Sequence, residues 1–261
     1  MKVKVYFVGA GPGDPELITV KGQKLLARAD LIIYAGSLVN PDLLNIARPQ
    51  ARCFNSAGMT LEEMLDLMAE AVDCGELVVR LHTGDPSLYG AVQEQMDGLA
   101  QRGVPFEVVP GVSSFAAAAA AVRREFTLPG VSQTLILTRH EGRTPVPPGE
   151  GLAALAGHHA SLCLFLSAGS LVAAAAELAQ GYGPDTPAAL VYKASWPEEK
   201  VIRGTLEDIA RQAAAAGINR TALLLTGKFL SAPYLRSSLY DPGFGHSFRG
   251  KKDECCNCNP D

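Results

Sequence analysis

The chain has 261 residues, 48% hydrophobic and 19% charged, with a formal net charge of −4. That balance belongs to a globular chain long enough to bury a proper core in one large domain or two small ones, and without an overall basic field it carries no electrostatic footprint for nucleic acid. The apolar run after Lys4 is too short for a secretory h-region and no other run approaches a membrane span, so the expected location is cytoplasmic, with no membrane partner.

In chain order, Val3 to Val8 is a β-branched and aromatic run that ends in glycines, which predicts a buried strand. Helical sequence follows from Lys21 to Arg28, then a short apolar strand from Leu31 to Tyr34. Thr60 and Glu63 form a capping-box pair, and Leu61, Met64, Leu65, Met68 and Val72 recur at helical spacing behind them. Leu77 to Leu81 predicts a third strand, Val92 to Arg102 a helix stopped by Gly103, and Phe106 to Val109 a fourth strand. The pattern breaks between Arg123 and Gln133, around Pro129-Gly130, and restarts. Leu135 to Leu137, Leu162 to Leu166, Ala189 to Tyr192 and Leu223 to Leu225 predict strands, with helices at Leu171 to Leu178 and Leu206 to Ala214. Val201 to Arg203 predicts another short strand, paired antiparallel.

The fold class expected is therefore α/β, as two α/β domains with a ligand cleft between them. Their spans are residues 1–122 and 123–240, with a hinge near 122–132, and a tail over 241–261 that is Cys-rich at its end. Ligand sites in such folds lie beyond the carboxyl ends of strands. Loops in that position begin at Gly9, Tyr34, His82, Pro110, Ser167 and Lys193.

The first of them, Gly9-Ala10-Gly11-Pro12-Gly13-Asp14, lets backbone approach a ligand closely. It is not a nicotinamide fingerprint. The third glycine comes one residue early, and Ile33, Tyr34, Ala35, Gly36 and Ser37 offer no carboxylate for a ribose. No Gly-Lys-Ser or Gly-Lys-Thr closes it as a P-loop.

Four loops in register then carry a resemblance: the glycine loop; Tyr34-Ala35-Gly36-Ser37-Leu38-Val39; Arg80-Leu81-His82-Thr83-Gly84-Asp85-Pro86-Ser87-Leu88-Tyr89-Gly90; and Pro110-Gly111-Val112-Ser113-Ser114-Phe115. In this combination the chain resembles the tetrapyrrole methylase family up to about Arg249. The second and third loops, with Tyr192-Lys193-Ala194-Ser195-Trp196-Pro197, are most similar to the branch acting at C-11 of precorrin-4 or its cobalt complex. Uroporphyrinogen methylases of the family carry aspartate where Ala35 sits, and lysine and glycine where His82 and Thr83 sit. Other precorrin methylases, uroporphyrinogen methylases and the diphthine synthase branch are the rival enzymes. A non-catalytic corrinoid- or cobalt-binding module is the rival of another class.

The resemblance implies an S-adenosylmethionine-dependent methyltransferase that releases S-adenosylhomocysteine, acts on a tetrapyrrole and assembles as a homodimer. Carried over by position, the cofactor would meet Pro12, the backbone of Thr83, Gly84 and Asp85, Leu88, Ser113 and Ser114, with Leu166 on the adenine and Ala194 beside the base. For Leu166 alone, core packing is the competing reading. No residue pair marks itself as a catalytic machine. Ser37, His82, Tyr89 and Asp14 are the candidates for orienting the macrocycle or relaying a proton, with loop capping as the alternative. Arg80, Arg123, Arg124, Arg139, His140, Arg143 and Lys193 are candidates for holding its carboxylates. In the tail, Cys255, Cys256 and Cys258, with His246, could bind a soft metal, though the spacing departs from ordinary zinc patterns and an incidental cluster is favoured.

Overall fold

In a computed structural model the protein is described over residues 3–241 apart from Ser37 and Arg143, and at Gly243, Phe244, Gly245, Ser247 and Arg249. Two five-stranded sheets organise it. The first contains β1 (Val5–Gly9), β2 (Leu31–Tyr34), β3 (Arg52–Asn55), β4 (Val78–His82) and β5 (Phe106–Val109) in the order β3-β2-β4-β1-β5, with every pairing parallel. Parallel strands require crossovers. Among these are α1 (Val20–Leu26), α2 (Leu61–Asp73) and α3 (Gln93–Gln101). Thr60 and Glu63 close the capping box expected at the start of α2. Met64, Leu65 and Met68 of that helix pack with Val5, Phe7 and Val78 on one face of the sheet, while Leu26, Ile32, Val79 and Leu81 form a second core on the other.

The second sheet contains β6 (Leu135–Arg139), β7 (Ser161–Phe165), β8 (Pro187–Tyr192), β9 (Lys200–Thr205) and β10 (Ala222–Thr226), ordered β6-β7-β10-β8-β9. Only β6 and β7 are parallel; β10 runs antiparallel to both neighbours, and β9 is antiparallel to β8 as expected. Helices α5 (Leu152–Ala156), α6 (Leu171–Tyr182) and α7 (Ile209–Ala215) cover one face. The other face is covered by α4 (Ser114–Val122). That helix follows β5 in sequence, yet Ala117, Ala118 and Val122 pack with Phe165, Val191, Leu225 and Phe229 of the second half. The tie between the halves thus lies at residues 110–113, ahead of the domain boundary expected at residue 122.

Candidate active site

Three glycine backbones meet where the ends of β1 and β4 face the start of the α4 loop. Gly11 and Gly84 form an isolated antiparallel bridge, with Gly84 N–H donating to Gly11 O at 2.8 Å. Ala10 N–H donates to His82 O at 2.7 Å. A Cβ on Gly9 would lie 2.5 Å from Gly111 Cα and 2.6 Å from Gly84 O, so side chains are excluded there by backbone. Asp85 ties the loop after β4 to the loop after β5: its Oδ2 accepts from Gly111 N–H at 2.8 Å, and its Oδ1 from Ser87 N–H at 2.8 Å. These bonds hold the Asp85 carboxyl below its usual pKa against the opposing effect of burial, which is the largest single influence on it.

Above this crossing lies a cavity of about 410 Å³, at the junction of the two halves. Its size is that of a small-molecule site. Pro12, Thr83, Gly84, Asp85, Leu88, Ser113, Ser114, Leu166 and Ala194, the nine positions expected around a cofactor, all line it. Of the four catalytic candidates, His82 and Tyr89 line it as well. Asp14 does not; its carboxylate accepts from Glu16 N–H at 2.9 Å and caps the turn Pro15–Leu17. Ser37 lies outside the described residues, as do Arg143, His246, Cys255, Cys256 and Cys258. Among the described residues no group of three or more His, Cys, Asp or Glu could hold a metal ion.

The cavity wall is unusual in backbone and in charge. Eight described non-glycine residues have positive φ, and four of them, Tyr89, Leu166, Lys193 and Thr221, line the cavity. Such conformations persist where the surroundings over-determine them, and they cluster at functional sites. Leu166, at φ 53°, is 69% exposed, so core packing does not account for it. Tyr89 packs its ring against Phe165 with centroids 5.2 Å apart, and burial raises its hydroxyl pKa. His82 is buried, and its Nε2 has no partner among the described residues; nor does Thr83 Oγ1. Burial first, and then the charge of Arg80, draw the His82 pKa down to about 3, so the ring is neutral. Arg80 itself is buried beneath it, donating to Gln95 Oε1 at 3.0 Å and Ile33 O at 3.2 Å, with its pKa lowered by burial to about 10.

Arg80 is therefore a structural cation and not a carboxylate ligand. Arg139 spends its guanidinium on the carbonyls of His140, Thr144 and Pro145, while the His140 ring meets Ser170 and Glu177. Neither lines the cavity, and neither do Arg123 and Arg124. Lys193 does, with its ammonium 5.2 Å from the Trp196 ring centroid and 3.3 Å from Glu198 Oε1.

Sequence reasoning missed the segment Asn219-Arg220-Thr221, which also lines the cavity and brings a second cation. It precedes β10 instead of following a strand. Because β10 is antiparallel to β7 and β8, its start lies beside their carboxyl ends. Lys193 N–H donates to Thr221 O at 2.9 Å across that junction.

The family model for "Tetrapyrrole (Corrin/Porphyrin) Methylases" matches residues 4–210. A cobalt-precorrin-4 C(11)-methyltransferase of Methanocaldococcus jannaschii is 52% identical over 94% of this chain and 96% of its own length. Among solved structures, a cobalt precorrin-4 methyltransferase superposes with a TM-score of 0.86 at 49% identity, over 88% of this chain and 96% of that one. A uroporphyrin-III C-methyl transferase from Thermus thermophilus, complexed with S-adenosyl homocysteine, gives a TM-score of 0.72 at 30% identity, covering 87% and 93%.

Proposed function

We infer the reaction from this premise: the chain belongs to the tetrapyrrole (corrin/porphyrin) methylase family. It is a methyltransferase that places a methyl group on C-11 of precorrin-4 or cobalt-precorrin-4, in cobalamin synthesis. One observation carries the choice within the family. Ala35, His82 and Thr83, where the sequence parts from uroporphyrinogen methylases, all line the cavity that holds the nine expected cofactor positions.

The methyl donor in this reading is S-adenosylmethionine, supported by the related structure that holds its demethylated product. The residues fit it. His82 Nε2 and Thr83 Oγ1 are buried polar atoms without a partner among the described residues, a state that costs roughly 1–3 kcal/mol each until a ligand satisfies them. The backbone of Thr83, Gly84 and Asp85 would hold the donor from the first half, and Ala194 and Leu166 would take its base from the second. Bound there, it supplies a methyl group on an already activated sulfonium.

The chain's own tasks are then alignment and exclusion of water, since a reduced tetrapyrrole carbon is already nucleophilic. Alignment alone is worth roughly 7–11 kcal/mol in ideal intramolecular reactions. Neutral His82 can hydrogen-bond in the cavity without adding positive charge beside a cationic donor. Tyr89, kept protonated by burial, can donate to the macrocycle. Lys193 and Arg220 are the cavity's cations for substrate carboxylates. Ser37 remains a candidate for orienting the macrocycle or relaying a proton, whereas the Asp14 carboxylate is engaged in capping a turn outside the cavity lining.

We further propose a homodimer in the cytoplasm; among the described residues no helix is long and apolar enough to cross a membrane. Light scattering reads the first. The reaction is tested by supplying methyl-labelled donor with precorrin-4, cobalt-precorrin-4, uroporphyrinogen or elongation factor, and locating the label by mass spectrometry and NMR. Label at C-11 is expected. Label on uroporphyrinogen or elongation factor alone would reassign the enzyme, and corrinoid binding without transfer would make it a carrier.

A further inference from the structure

Backbone bonds from the first half hold Ala10 and Gly11 of the first glycine loop, but beyond them two of the three side-chain bonds to its tip come from the opposite half of the molecule. Pro12, Gly13 and Asp14 are each fixed at the peptide group by a side chain. Trp196 Nε1–H donates to Pro12 O at 3.0 Å, and Asp14 N–H donates to Ser195 Oγ at 3.0 Å. Between them, Asn40 Nδ2 donates to Gly13 O at 2.8 Å. Asn40 belongs to the first half; Trp196 and Ser195 follow β8 of the second.

The Trp196 indole lies flush on Gly13, where any Cβ would overlap it. The loop that carries it is itself constrained: Ser195 has φ 70°, and its N–H donates to Glu199 Oε2 at 2.7 Å. Lys193 stands over the same indole, its ammonium 5.2 Å from the ring centroid. Trp196 and Pro12 both line the cavity, so one indole N–H joins two of its walls.

We propose that Trp196 is a positioning residue for methyl transfer: its bond to Pro12 O sets how closely the first-half and second-half walls approach, and so the alignment of donor and acceptor. This rests on the reading of the cavity as the donor site. The indole is an anchored spacer, and a phenyl ring would keep its packing on Gly13 while losing the bond. A role in alignment alone therefore predicts a loss in turnover larger than the loss in binding, because small displacements at reacting atoms are amplified in rate.

The test uses the full chain and Trp196→Phe, with Ser195→Ala as a second variant that removes the neighbouring tether from outside the cavity. Trp196→Phe is expected to lower kcat by about ten- to a hundredfold, with the dissociation constant for S-adenosylhomocysteine changed by less than about threefold. Ser195→Ala should shift kcat in the same direction by a smaller factor. Trp196 is the only tryptophan in the sequence, so S-adenosylhomocysteine should shift the intrinsic tryptophan emission of the unaltered protein. Unchanged kcat in Trp196→Phe overturns the proposal, as does a fall in affinity as large as the fall in kcat. If the unaltered protein fails to bind S-adenosylhomocysteine by calorimetry, the donor-site reading fails instead, and the two failures are told apart.

Discussion

Replacing Gly9 by alanine tests the packing beneath the cavity with a single carbon. The new Cβ would lie 2.5 Å from Gly111 Cα and 2.6 Å from both Gly111 N and Gly84 O, all of them backbone atoms. An ordinary contact begins near 3.4 Å, so the strand end must withdraw by about 0.9 Å. Such a shift strains the bonds from Ala10 to His82 and between Gly11 and Gly84, each worth roughly 1 kcal/mol. Overpacking adds about 1–3 kcal/mol, and the stiffer unfolded chain returns about 0.4–1. The net destabilisation is about 3 kcal/mol, or roughly 6–12 °C in Tm for a chain of this size. Differential scanning fluorimetry against Gly58→Ala provides the control, since nothing lies within 4 Å of a Cβ at Gly58 and its φ is not positive. A Gly9→Ala protein melting within about 2 °C of the parent would refute the steric argument.

Leu166→Ala should leave Tm within about 1–2 °C, as expected for a side chain outside the core, yet weaken S-adenosylhomocysteine binding at least about threefold by calorimetry, each lost methylene being worth about 0.8 kcal/mol. His82 should make stability pH-dependent. Its proton is bound below 6.5 in the unfolded chain but only below about 3 in the folded one, so stability is full above pH 6.5 and falls as pH drops through that window. The slope approaches about 1.4 kcal/mol per pH unit, and urea titrations at pH 7.5 and 5.0 should show about 1–2 kcal/mol more loss in the parent than in His82→Gln. Lys193→Gln should raise KM for the tetrapyrrole about three- to tenfold and flatten its salt dependence, read from steady-state rates at several ionic strengths. Thr60→Ala should cost about 1 kcal/mol in urea unfolding and leave turnover unchanged, since it removes only a helix cap.

Legibility followed burial. β2 and β5 coincide with the runs Leu31 to Tyr34 and Phe106 to Val109, and the capping box marked the start of α2. The edge strand β3 went unseen because Arg52, Cys53, Phe54 and Asn55 are all exposed, and the adjacent apolar pair Cys53-Phe54 gives no alternating pattern. Helix α5 escaped because five residues of leucine and alanine are too few to display a period. The positions around the cavity were legible only through the resemblance, since glycine, serine and alanine that contact through backbone leave no chemical mark of their own. Trp196 appeared in the sequence only as part of a recognisable phrase; its partner, the Pro12 carbonyl, is 184 residues away. Asn219-Arg220-Thr221 depended on the direction of β10, which local pattern does not encode.

The seating of α4 on the far sheet separates two meanings of "half" in this molecule. A gene cut between residues 122 and 123 would leave the amino-terminal piece with an orphaned helix whose Ala117, Ala118 and Val122 have lost their neighbours. The carboxyl-terminal piece would be left with Phe126, Phe165 and Phe229 uncovered. A cut just before Ser113 would return the helix to its own sheet and would sever the strap bearing Ser113 and Ser114 at the edge of the cavity. Split-protein reassembly should accordingly succeed better from the earlier break than from the later one.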